Sequence, residues 1–146
     1  MGIFYLLFLA VPPGAQAPAP ESRVECRLPS DEAARVWRLE RRPGATPEWW
    51  LVLSSPALGA RRPALPLAGA VVSETPAGLE ASSQSANGGV AVDLAAGAQS
   101  RLDVFVNYEL EVNVWRDLVP EVERMNTGGP RTDAVCRVLA PGAGLP

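Results

Sequence analysis

Glu109 and Glu111 stand two residues apart in LDVFVNYELEVNVW, residues 102–115. Paired acids are the working groups of glycoside hydrolysis, where one protonates the leaving group and the other acts as base or nucleophile. They are the general acid/base chemistry left to this chain, which has no His and whose thirteen cations are all Arg. Without His there is no Ser-His-Asp or Cys-His machinery, and without Lys no Schiff base, Ser-Lys dyad or phosphate-loop lysine. The GxGxxG, GxSxG and CxxC patterns are absent as well. Two acids on one exposed strand face carry little catalytic signal, so the sequence reads as a non-enzyme, with a small carboxylate-based hydrolase as the remote alternative.

The same segment alternates apolar and polar side chains. Leu102, Val104, Val106, Tyr108, Leu110, Val112 and Val114 suit a core, and Asp103, Phe105, Asn107, Glu109, Glu111, Asn113 and Trp115 fall on the other face. Three readings of that second face compete. It is a solvated outer face that keeps a sheet soluble; or a protein-contact surface, with Phe105 or Trp115 as aromatic anchor and Glu109 and Glu111 meeting a partner's cations; or a calcium site. Calcium needs about six to eight converging oxygens, and same-face neighbours on one strand stand ~7 Å apart, so one strand cannot build that cage. No metal and no cofactor is expected. At about 3.3 Å per residue a straight strand of this length would reach roughly 46 Å, so the segment must bend, bulge near Asn107 or pass between sheets.

Other residue groups carry weaker signals. Trp49 and Trp50 could serve a sugar, but adjacent strand residues point to opposite faces and cannot form one stacking platform. One of the two belongs in the core and the other near a rim. The tandem pairs Arg41-Arg42 and Arg61-Arg62 could grip a phosphate or carboxylate bidentately, yet both fall in turn-like sequence and read first as solvated loop charges.

The elements that must position these residues follow a period of two broken by frequent turn residues, the signature of an all-β chain. The expectation is a single-domain antiparallel β-sandwich, or barrel-like sandwich, of about seven or eight strands over residues 18–146. EWWLVLSS (48–55) is apolar on both faces and belongs mid-sheet, with RVWRLERR before it as a hairpin partner. A short helical turn over 31–35 leading into a strand over 36–41 competes with a helix capped by Ser30. SPALGARRPALPLAG (55–69) reads as a Pro-broken connection. AVVSE, LEASSQSA and VAVDL form a meander, turned at Thr75-Pro76-Ala77-Gly78 and Asn87-Gly88-Gly89. AAGAQS (95–100) reads as a connection, RDLVPEVERM as holding a helical turn, and DAVCRVL (133–139) as the closing strand. Residues 18–22 and 140–146 are expected to be mobile ends.

Ile3 to Val11 is an apolar run followed by Ala15-Gln16-Ala17, the small-x-small pattern of a signal-peptidase site. It is too short to span a bilayer, which takes about 20 apolar residues. Residues 1–17 are therefore read as a cleaved signal peptide, or alternatively an uncleaved N-terminal anchor, with no transmembrane span in the mature chain. In an exported chain two cysteines imply a Cys26–Cys136 disulfide, against free thiols or a metal site. The bridge would fasten the first strand to the last. A pI near 5.0 and a net charge of −3 argue against nucleic acid. Arg in place of Lys, with abundant Ala, Gly and Pro, fits a GC-rich bacterial genome. The expectation is a periplasmic or extracellular, non-catalytic binding or structural module with a protein partner in the envelope or a membrane complex. The rival is a carrier of a small apolar ligand, with EASSQSA lining a cavity.

Overall fold

The computed structural model describes residues 19–46, 48–84, 90–106 and 124–140. Two antiparallel sheets face each other, as the alternating pattern predicts. The five-stranded sheet runs β4-β3-β2-β1-β9 and the four-stranded sheet β5-β6-β7-β8. In chain order the strands are β1 (Glu21–Arg27), β2 (Val36–Arg42), β3 (Glu48–Ser54), β4 (Ala64–Pro66), β5 (Val71–Thr75), β6 (Gly78–Gln84), β7 (Val90–Gly97), β8 (Arg101–Val106) and β9 (Val135–Val138).

Period-two patterning decides which side chains meet between the sheets. From the larger sheet come Val24, Cys26, Trp37, Leu39, Leu51, Leu53 and Leu65, and from the smaller Leu79, Ala81, Val92, Leu94, Leu102, Val104 and Val106. Trp37 is the largest of the fully buried side chains. Its indole Nε1 donates to the Met125 carbonyl oxygen at 3.0 Å, which satisfies the one polar atom it brings into the core.

Cys26 and Cys136 are register partners on β1 and β9 and form the disulfide, 110 residues apart in sequence. The bridge joins the first strand to the last, as the cysteine count implies. Closing so long a loop is worth about 4–5 kcal/mol in the chain-entropy model. The edge of β8 is covered by the chain around Asn126 to Arg131: Thr127 N–H donates to Val104 O at 3.0 Å and Arg131 N–H to Leu102 O at 2.8 Å. Covering an edge strand in this way blocks pairing with another molecule.

Several expectations need correction. The count is nine strands among the described residues, because the 55–69 connection contains β4 as well as one turn of 3-10 helix, Pro56–Leu58. Pro63 precedes and Pro66 ends a strand of three residues at the sheet edge, where a missing N–H does no harm. Ala95, Ala96 and Gly97 continue β7 and are not a connection. Residues 21 and 22 belong to β1 and are not a mobile end. Between Leu28 and Arg35 the chain makes tight turns, with Asp31 N–H donating to Leu28 O and Ala34 N–H to Asp31 O, both at 3.0 Å. The strand that follows is β2, so the capped helix over 30–42 is not formed.

Gly78 and Gly97 are register partners where the β5–β6 turn crosses the end of β7. A Cβ on Gly78 would stand 2.1 Å from the Ala96 carbonyl oxygen, and one on Gly97 2.4 Å from that of Ala77. Only glycine permits this approach of two backbones.

Candidate functional site

The two outer sheet faces carry most of the charged groups of the strands. On the larger sheet this face is built from alternate residues of β1, β2, β3 and β9. Register places Arg38 beside Glu25 on one side and Val52 on the other, with Arg137 beyond Glu25 and Ala64 beyond Val52. Glu25 is only 4% exposed although it points away from the core. Its Oε1 accepts from Arg27 Nε at 2.9 Å and Arg137 Nη2 at 3.4 Å, and its Oε2 from Arg38 Nη2 at 3.3 Å. Burial pushes the Glu25 carboxyl up, but the hydrogen bond from Arg27 and the charges of Arg27, Arg137 and Arg38 outweigh it and hold the group below its ordinary value.

One row along, Glu40 is 5% exposed and Trp50 stands beside it. The Arg42 guanidinium lies over Trp50, 3.8 Å from the ring centroid, and its Nε is 3.6 Å from a Glu40 oxygen, within ion-pair range but outside hydrogen-bond range. The Trp50 indole donates to Glu48 Oε2 at 3.2 Å. Trp49, on the opposite face, packs against the core. The expected split of the two tryptophans is therefore observed. The reading of Arg42 as a solvated loop charge is corrected: it is the last residue of β2, stacked on an aromatic ring.

The β3–β4 connection then brings Arg62 over this face. Arg38, Arg42 and Arg62 surround a groove of about 320 Å³, with Glu40 at its side and Val52 and Ala64 among its walls. Arg62 Nη1 donates to the carbonyls of Gly59 at 2.6 Å and Arg61 at 3.0 Å, which folds the loop around its own side chain. On the whole face Arg27, Arg38, Arg42, Arg62 and Arg137 meet Glu25, Glu40 and Glu48, a surplus of positive charge on an acidic chain.

The smaller sheet presents the reverse. Register aligns Gln84, Ala91 and Phe105 in one row, Val71, Ser82, Asp93 and Asp103 in the next, and Ser73, Glu80, Ala95 and Arg101 in a third. Arg101 makes a two-pronged ion pair with Asp93, Nε to Oδ2 at 3.1 Å and Nη2 to Oδ1 at 2.9 Å. Glu80, Asp93 and Asp103 outnumber this one cation. Phe105 is 52% exposed, with Ala91 as its register partner.

Of the residues singled out from the sequence, Phe105 is thus placed on an acidic outer face. Glu109, Glu111 and Trp115 lie outside the described residues, as do residues 1–17, Asn107 and the Asn87-Gly88-Gly89 turn. Among the described residues no three His, Cys, Asp or Glu side chains come together as metal ligands, and no helix is long and apolar enough to cross a membrane. The Arg38–Arg42–Arg62 groove was not assembled from the sequence; the tandem arginines were its one signal. Compared with known protein families, curated proteins and solved structures, the chain finds no match in any of the three. The fold itself defines the class: a two-sheet antiparallel sandwich fastened by one disulfide.

Proposed function

We propose that the protein is an exported, non-catalytic binding or structural module of the bacterial envelope, an accessory subunit that meets a protein partner through the outer face of its smaller sheet. The observation that carries this reading is Phe105, an aromatic ring half in solvent on an acidic sheet face, where a large apolar side chain has no structural task. Carboxylates around it supply charge complementarity to a cationic partner. The disulfide fits an oxidising compartment. The large side chains that fill positions between the sheets, Trp37, Leu39, Leu51 and Leu94, are fully buried against one another's sheets, which favours this reading over a carrier of a small apolar ligand.

The test is a native pull-down from solubilised envelope with wild-type and Phe105→Ser baits, each checked by intact mass. Stoichiometric capture by the wild type, lost in Phe105→Ser, with a mass showing cleavage after Ala17 and two fewer hydrogens, supports the reading. Equal capture by both baits removes Phe105 from the contact. A purified monomer that turns over a substrate and loses activity on Glu109→Gln or Glu111→Gln overturns the non-catalytic assignment. A lipid or pigment released by organic extraction and seen by mass spectrometry returns the carrier.

A further inference from the structure

We propose that the groove on the outer face of the larger sheet, between Arg38, Arg42 and Arg62, binds a phosphate monoester.

Charge selects the ligand class. Three guanidiniums and one carboxylate, Glu40, line the groove, and a phosphate monoester carries about −1.5 to −2 at neutral pH. Arg38 shares Glu25 with Arg27 and Arg137, so the charge to be met is that of the whole face, five arginines against Glu25, Glu40 and Glu48, and a lone carboxylate would compensate only part of that surplus. Extended polyanions are disfavoured by the net charge of −3 on the chain as a whole.

Geometry supplies the donors. Arg38 gives Nη2 to Glu25, while its Nε is buried without a hydrogen-bond acceptor, and the Nε of Arg42 is in the same position. Both Nε atoms are closed off from the surface, so an entering oxyanion is gripped through the Nη groups of the guanidinium forks. The Trp50 ring beneath Arg42 fixes the plane of that guanidinium, and a planar fork already oriented loses less freedom when it grips an oxyanion. Arg62 is held by its own loop carbonyls. All three cations are therefore positioned before a ligand arrives.

Shape limits the rest of the molecule. A volume of about 320 Å³ is at the small end for ligand sites and takes a phosphate with a body of a few carbons. Val52 and Ala64 offer that body apolar contact, and Glu40 and Ser54 offer acceptors to a hydroxyl on it. Glycerol 3-phosphate has this chemistry, and so does the phosphomonoester headgroup of a lipid such as phosphatidate.

The experiment is an NMR titration of the labelled, oxidised protein with glycerol 3-phosphate, using glycerol and butyrate as controls. Saturable shifts at the amides of Ser54, Arg62 and Ala64 are expected. Arg42→Gln and Arg62→Gln should each weaken binding at least about tenfold, as the loss of a charge-assisted hydrogen bond implies, and Arg101→Gln on the other sheet should leave it unchanged. Arg62 is exposed on a loop, so that variant keeps the test valid if Arg42→Gln disturbs folding. Sedimentation with vesicles containing phosphatidate, against phosphatidylcholine alone, distinguishes the sources. Co-sedimentation assigns the lipid headgroup, and binding of the soluble ester without it assigns a free phosphate; either supports the proposal. Absence of both, equal affinity for butyrate, or unchanged affinity in Arg62→Gln overturns it. The groove and Phe105 lie on opposite sheets, so Phe105→Ser leaves this result untouched whatever becomes of the partner.

Discussion

The two outer faces of this sandwich solve the same problem, covering a sheet with polar groups, by different means. On the larger sheet long arginine stems lie over Val52 and Trp50 and gather around two buried carboxylates, Glu25 and Glu40. On the smaller sheet short side chains such as Ser82, Ala91 and Asp93 stand apart, joined by one exposed ion pair. The first face is a network in which each charge depends on its neighbours. The second is a set of independent positions from which Phe105 projects. A face built from buried, mutually dependent charges is rigid and costly to alter, whereas a face of separate short residues is free to vary around an anchor.

That contrast can be broken in graded steps. The largest effect is expected from the bridge behind the first face: Cys26→Ala with Cys136→Ala should cost about 2–5 kcal/mol, read from urea midpoints. Next, Glu25→Gln should cost about 1–3 kcal/mol, because Arg38 loses its charged acceptor in a buried setting, while Glu80→Gln on the smaller sheet should stay within about 0.5 kcal/mol. Comparable losses at both positions would erase the distinction between the faces.

Acid sharpens the same comparison. Glu25 and Asp31 are held below their ordinary values of 4.5 and 3.8; for Asp31, burial alone would raise the group, and the Arg35 hydrogen bonds overcome it. A carboxylate lowered in the folded state stabilises it above the ordinary value, and that stabilisation is lost as pH falls through the lowered one. Urea midpoints should therefore hold from neutral pH down to about 5 and decline below it, with a shallower decline in Glu25→Gln. A decline of unchanged steepness in that variant would remove Glu25 from the acid response. The smallest effect is expected at Arg101→Ala, where the partly exposed pair with Asp93 is worth about 0.2–1 kcal/mol and fades in salt.

The fold was legible wherever the pattern of two ran unbroken. β3 declares itself by Trp49 to Leu53, β6 by its strict alternation, and the first-to-last bridge by two cysteines in a chain whose N-terminal residues read as an export signal. β4 was hidden because Pro63 and Pro66 mark a break in sequence and become an edge strand only once β3 is there to receive Leu65. The end of β7 was hidden because Ala95, Ala96 and Gly97 carry no strand preference of their own and are held by pairing with Leu79 and Glu80. The exposed aromatic at Phe105 followed from alternation alone. The arginine groove could not follow, since Arg38, Arg42 and Arg62 meet only through the register of β2 on β3 and the path of one loop.

The pairing of β1 with β9 also decides how the molecule carries load. Both ends of the described chain leave from neighbouring antiparallel strands, joined by the disulfide between Cys26 and Cys136. Tension applied along the two ends passes from one cysteine to the other through a covalent bond, and the residues between them lie outside the line of force. A chain pulled by its two ends would keep everything between Cys26 and Cys136 folded behind the bridge, while Glu25 and Arg137, paired just outside it, stand in the path of the force and would part before anything behind it.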